Sequence, residues 1–124
     1  MSLKVGDIIQ FERTFTKEDV EMFTNISMDK GDHHTHPDEL GRHVVQGLLT
    51  ASLPTKVGGD YNVLARTMNF EFTRPVYTED TITCVVTFEQ FEQLDNRTRI
   101  NSPFTCENQH GKIVLQGDFS GVIL

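Results

Sequence analysis

Asp29 and His34 stand with four residues between them in the polar segment MDKGDHHTHPDELGR, Met28–Arg42. Held close, a carboxylate and an imidazole could keep one water between them, and histidine is the side chain whose free pKa lies near working pH. The same residues have plainer uses. Asp29 could end a helix, as Asp after a polar turn does, and His34 could lie in solvent. The neighbours widen the choice. His33, His34 and His36, with Asp29, Asp32, Asp38 and Glu39 nearby, are all of metal-ligating type. Their spacing fits no hairpin-borne metal motif, so no metal is assigned. His43 and His110 read as ordinary surface or loop residues. Cys84 and Cys106, the only cysteines, sit in separate β-like runs and read as reduced, buried thiols.

The elements around this segment must position it. Asp7–Phe15 alternates as a strand. Thr16 is a good N-cap with Asp19 three residues later, and Phe15 can staple onto Val20. Val20, Phe23 and Ile26 then follow at helical spacing, and the helix ends near Ser27. Met28–Arg42 reads as a loop, punctuated by Gly31, Pro37 and Gly41; a polar loop between apolar elements is a natural place for function. His43–Val57 is apolar almost all around a helix and should be buried on most sides. Gly47, Ala51 and Ser52 permit close approach there, and Pro54 implies a kink or a tightened turn. The rest is strand: Val63–Pro75, Asp80–Phe91, Arg97–Glu107 and Lys112–Ile123, with Asn108–Gly111 as a hairpin loop. Strands in sequence without intervening helices imply an antiparallel sheet and an α+β class.

Composition narrows the partners. The chain has 124 residues, enough for one domain, and a formal charge of −7 from 18 acidic and 11 basic residues. An acidic chain without a basic block is a poor ligand for nucleic acid. No apolar run reaches the length of a membrane span, and no signal-peptide core is seen, so a cytoplasmic protein is expected.

Taken in order, these pieces resemble the MaoC-like dehydratases, the family that includes R-specific enoyl-CoA hydratases. The resemblance covers nearly the whole chain. FTKEDVEMFTNISMD (Phe15–Asp29) is similar to the family's F-T-x-x-D-V-x-x-F helix and S-x-D ending. Asp29 and His34 have its D-x4-H spacing. VVQGLLTASL (Val44–Leu53) resembles its I-x-x-G-x-L-x-x-S-L helix, and NFEFTRPVYTEDTITCVVTF (Asn69–Phe88) its F-x-x-P-V-x-x-G-D-T-I strand pair. NQHGKIVLQG (Asn108–Gly117) matches its N-Q-x-G-x-x-V hairpin. The chain departs from the pattern at Gly31 (family Asn), Asp32 (often Pro), Gln46 (commonly His) and Glu79 (Gly), and the stretch from His34 to Gly47 is shorter.

The resemblance implies a single hotdog domain over residues 1–124: an antiparallel sheet of about five strands wrapped around one long buried helix. It implies reversible hydration of 2-enoyl-CoA to (R)-3-hydroxyacyl-CoA. Asp29 and His34 would activate the water, and the Gly47 N–H, aided by the helix dipole, would hold the thioester oxygen. Thr55 falls where a hydroxyl residue lines the family's site, and Gln46, Leu48 and Phe70 are expected to contact the substrate. The acyl group would arrive on CoA or on an acyl carrier protein, with no further cofactor. Because CoA is anionic, Arg42, Lys56, Arg66 and Arg74 are candidates for the pocket mouth. A homodimer is expected, since a small sheet leaves an edge strand open. Two other functions stay open: a hotdog acyl-CoA thioesterase, disfavoured because Val44–Val57 carries no Asp or Glu, and a non-catalytic acyl-CoA-binding module, kept open by Gly31.

Overall fold

The computed structural model describes residues 3–124. Strand β1 (Ile8–Thr14) leads into helix α1 (Lys17–Ser27). The capping box forms: the Asp19 N–H donates to Thr16 Oγ1 at 3.2 Å and the Thr16 N–H to Asp19 Oδ2 at 2.9 Å. Phe15 and Val20 are both buried beside it. Met28 ends α1 in the left-handed conformation, at φ 62°.

Met28–Arg42 is not wholly loop. Asp32–Thr35 makes one helical turn, α2, closed by the His36 N–H donating to Asp32 O at 2.8 Å. A single turn is too short for side-chain periodicity to reveal it. The expected long helix is a second correction. The chain forms α3 (Gly47–Thr50) and α4 (Ser52–Asp60), separated at Ala51. Pro54 supplies the reason. It has no N–H to donate to Thr50 O, and its ring crowds that carbonyl. Nor is α4 buried on most sides: Leu53, Pro54, Val57 and Gly58 face the core, while Thr55, Lys56, Gly59 and Asp60 are exposed.

Strands β2 (Val63–Phe72), β3 (Thr81–Thr87), β4 (Gln90–Gln93), β5 (Thr98–Glu107) and β6 (Ile113–Ile123) complete a six-stranded antiparallel sheet. The order is β1-β3-β5-β6-β2, with β4 paired to β5 off this path. The run expected as one strand, Asp80–Phe91, is thus divided. Val86 pairs with Phe104, but Gln90 pairs with Asn101, a register offset by one residue. Pro103 lies opposite the break, and a residue without an N–H cannot continue that ladder. The hairpin at Asn108–Gly111 forms as expected, with Gly111 at φ 72°.

Inward positions alternate cleanly. Ile82, Cys84 and Val86 on β3 and Ile100, Phe104 and Cys106 on β5 join Leu53 and Val57 of α4 in the core. Cys84 and Cys106 face each other across β3 and β5, free and fully buried. The hydrogen bond between them, then burial, drives the Cys106 thiol far above its ordinary range. Among the described residues no helix is long and apolar enough to cross a membrane.

Candidate active site

His34 is fixed by its own backbone neighbourhood. Turn α2 aims the ring at the returning chain, where His34 Nδ1 lies 2.6 Å from Val44 O. A carbonyl oxygen only accepts, so Nδ1 carries the proton in that bond and the neutral ring keeps its lone pair on Nε2. Nε2 faces Asp29, 3.5 Å from Oδ2. His34 is 6% exposed, whereas the Asp29 side chain is 50% exposed. Asp29 is itself held in a turn, its Oδ1 accepting from the Gly31 N–H at 3.3 Å.

The segment that receives His34 is anchored in turn. The Val45 N–H donates to Val76 O at 2.7 Å and the Thr78 N–H to His43 O at 2.9 Å, with Val44 bridged to Tyr77. His43 is buried rather than a surface residue. Its Nδ1–H donates to His34 O at 2.9 Å, and its backbone N–H donates to Thr78 Oγ1 at 3.1 Å. These bonds join segments nine and 35 residues apart, which spacing along the chain does not reveal.

His34 and Gly47 line one cavity of about 310 Å³. Its wall is otherwise mostly apolar, with Val45, Phe72, Val76 and Val114 beside Thr50, Arg74 and His33. The His33 ring packs against His34, centroids 3.9 Å apart. Gly31 makes room for it: a Cβ there would stand 2.9 Å from His33 Cε1. A Cβ on Gly47 would stand 2.9 Å from the Phe72 ring, which would have to move aside. Gly47 stands at the N-terminus of α3, and Ala51 between α3 and α4 keeps right-handed helical angles, φ −65° and ψ −13°.

The other named residues lie elsewhere. Gln46 is buried, and its Nε2 donates to Thr24 Oγ1 at 2.9 Å and Val20 O at 3.3 Å, tying α3 to α1. Leu48 is 61% exposed. Thr55 lines a different depression with Met68 and Phe119, its hydroxyl donating to Ala51 O at 3.1 Å. Phe70 borders a third, beside Phe104 and Gln116. Of the basic candidates, Arg74 is in the wall of the His34 cavity, with Nη1 donating to Ile113 O at 2.7 Å. Arg42 is bound to Asp38 and stacked on Tyr77, and Lys56 is paired with Asp60. Among the described residues no three His, Cys, Asp or Glu side chains gather as a metal site. Thr50 and Val114 entered the cavity without a signal of their own, because only the packing of α3 against the sheet brings them together.

This architecture defines a hotdog-fold protein, the fold shared by (R)-hydratases and MaoC-like dehydratases. No protein-family model matches the chain. It is 23% identical over 129 residues to the mitochondrial 3-hydroxyacyl-[acyl-carrier-protein] dehydratase of Arabidopsis thaliana, across 98% of this chain and 78% of that protein. Its structure superposes on the (R)-hydratase from A. caviae involved in PHA biosynthesis with a TM-score of 0.86 and 23% identity, over 99% of this chain and 98% of the other. A MaoC-like dehydratase from Rhodospirillum rubrum gives a TM-score of 0.78 at 14% identity, over 98% and 93% of the two chains.

Proposed function

We propose that the chain is a hydratase/dehydratase of acyl thioesters, interconverting 2-enoyl-CoA and (R)-3-hydroxyacyl-CoA. The observation that carries this reading is the His34 imidazole. Its Nε2 stands 3.5 Å from Asp29 Oδ2, while the ring shares a cavity with Gly47. Two adjacent acceptors are what an attacking water needs: it donates both protons toward them and keeps an oxygen lone pair free.

In the hydration direction the water oxygen bonds to C3 and gives up one proton to the Asp29–His34 pair. The C2–C3 π electrons move toward the thioester, and charge collects on its oxygen, where the Gly47 N–H donates. The proton then returns to C2, so no oxidant or reductant is needed. Dehydration reverses each step. The thiol carrier is CoA or an acyl carrier protein, and Arg74 in the cavity wall suits an anionic carrier.

The active form is a homodimer. Asp29 is half exposed in the single chain, and edge strand β2 carries exposed Leu64, Met68 and Phe72. A second copy on this edge would extend the sheet and remove apolar surface from water.

The test is a chain-length screen of purified protein with 2-enoyl-CoA substrates, following loss of the conjugated thioester absorbance. Turnover of at least one chain length is expected. If none is turned over while saturated acyl-CoA still binds, the non-catalytic binding module replaces this reading.

A further inference from the structure

Three buried side-chain atoms have no hydrogen-bond partner among the described residues: Gln46 Oε1, Thr50 Oγ1 and Ser102 Oγ. Of these residues only Thr50 belongs to the wall of the cavity that holds His34 and Gly47. It is 2% exposed. A buried hydroxyl without a partner is uncommon in native proteins and calls for an explanation. The usual local remedy is not used here: Thr55, a turn further on, donates to the carbonyl four residues back, but Thr50 does not.

Thr50 lies three residues after Gly47, so the two share one face of α3. Helical side chains lean toward the N-terminus, which carries the Thr50 side chain over the turn that Gly47 begins. Threonine in a helix also populates two χ1 wells, and rotation between them carries the hydroxyl to a different staggered position. The hydroxyl can therefore be presented to a group entering the cavity without backbone movement.

We infer that Thr50 is a substrate-binding residue whose hydroxyl donates to the thioester oxygen, as a second donor beside the Gly47 N–H. This rests on the acyl-thioester reading of the cavity. An oxygen is the acceptor that such a ligand brings, and the surrounding Val45, Val76, Val114 and Phe72 offer none from their side chains. The donor strengthens its bond as charge builds on that oxygen, so its effect falls on turnover as well as on binding.

The test compares the wild type with Thr50→Val, Thr50→Ser and Thr50→Ala. Valine keeps the shape and removes the hydroxyl; serine and alanine differ from each other by the hydroxyl alone. The readouts are kcat/KM with an enoyl-CoA that the wild type turns over, Kd for the saturated acyl-CoA of equal length, and melting temperature. The saturated ligand carries the same thioester oxygen but cannot react. Thr50→Val is expected to lower kcat/KM about tenfold or more and to weaken saturated acyl-CoA binding. Its melting temperature should equal or exceed that of the wild type, because an unpartnered hydroxyl has been removed. Thr50→Ser should stay about tenfold above Thr50→Ala, a comparison that holds even if the valine variant folds poorly. Equal kcat/KM for the serine and alanine variants would overturn the inference and leave the hydratase reading standing. Where the wild type binds saturated acyl-CoA without turning over enoyl-CoA, the serine-to-alanine ratio of Kd decides. Absence of both binding and turnover removes both readings.

Discussion

His34 offers Nε2 to Asp29 because Nδ1 is already engaged by Val44 O at 2.6 Å. The ring nitrogen left free is therefore set by a backbone carbonyl ten residues away in sequence. Replacing His34 with Ala, or Asp29 with Asn, should lower enoyl-CoA turnover by ~10²-fold or more in steady-state assays. Unchanged rates would remove the pair from the chemistry and leave the fold as described. Gly47→Ala introduces a Cβ 2.9 Å from the Phe72 ring, and the ring must shift. Phe72 is half exposed and can swing aside, so the expected cost is about 1 kcal/mol or less in urea unfolding. Asp38 gives a pH signature of its own. The Arg42 backbone N–H, then the Arg42 side chain and the Leu40 N–H, hold its carboxyl below the ordinary 3.8. A carboxyl lowered in the folded state favours folding above 3.8 and loses that contribution as pH falls through its folded value. Amide exchange at Leu40 and Arg42 should thus stay slow down to about pH 4 and quicken in stronger acid. Asp38→Asn should quicken it at neutral pH.

At the scale of elements, two kinds of local rule had different fates. The capping box at Thr16 and Asp19 was legible because it needs only residues three apart, and Thr16→Ala should cost ~1 kcal/mol by thermal or urea unfolding. The left-handed Gly111 of the last hairpin was legible for the same reason. The division of the buried helix at Ala51 was foreshadowed by Pro54, and Gln46 ties the start of α3 to α1 across 22 residues, which no local rule reveals. The division of β3 from β4 was not legible. It follows from Pro103 lying opposite the break, and cross-strand register is invisible to a reading along one strand. Register also fixes Gly117. A Cβ there would stand 1.8 Å from Asn69 O, a backbone atom that cannot step aside. Gly117→Ala should therefore destabilise by ~3 kcal/mol or more, with loss of β2–β6 amide protection.

For the whole molecule, the arrangement of exposure matters more than its amount. Leu64, Met68 and Phe72 are exposed on an edge strand, and Leu48 is exposed on α3. The acidic charge of −7 keeps such a chain soluble but covers none of this apolar surface. Leu64→Lys combined with Met68→Lys should shift the proposed dimer to monomer in sedimentation equilibrium and reduce turnover in parallel. A variant that stays dimeric would move the interface away from β2. An anionic carrier, as proposed, would meet fewer basic groups than the residue count suggested. Of the four candidates only Arg74 reaches the cavity wall, while Arg42 and Lys56 are committed to Asp38 and Asp60.

By itself the sequence determined the class, most of the elements and their order, the caps and the turns, and it singled out Asp29, His34 and Gly47 as candidates. These are local choices: a side-chain oxygen for an orphan N–H, a glycine for a left-handed φ, alternation for a half-buried strand. Tertiary structure decided the rest. It turned Nε2 of His34 toward Asp29, buried His43 and sent Gln46 to α1. It also placed Thr55 and Phe70 in other depressions and brought Thr50 into the cavity. Those outcomes depend on contacts between separate segments, from nine residues apart for His43 and His34 to 35 for His43 and Thr78. Such contacts are selected by the packing of the whole sheet and its helices, which no stretch of chain specifies alone.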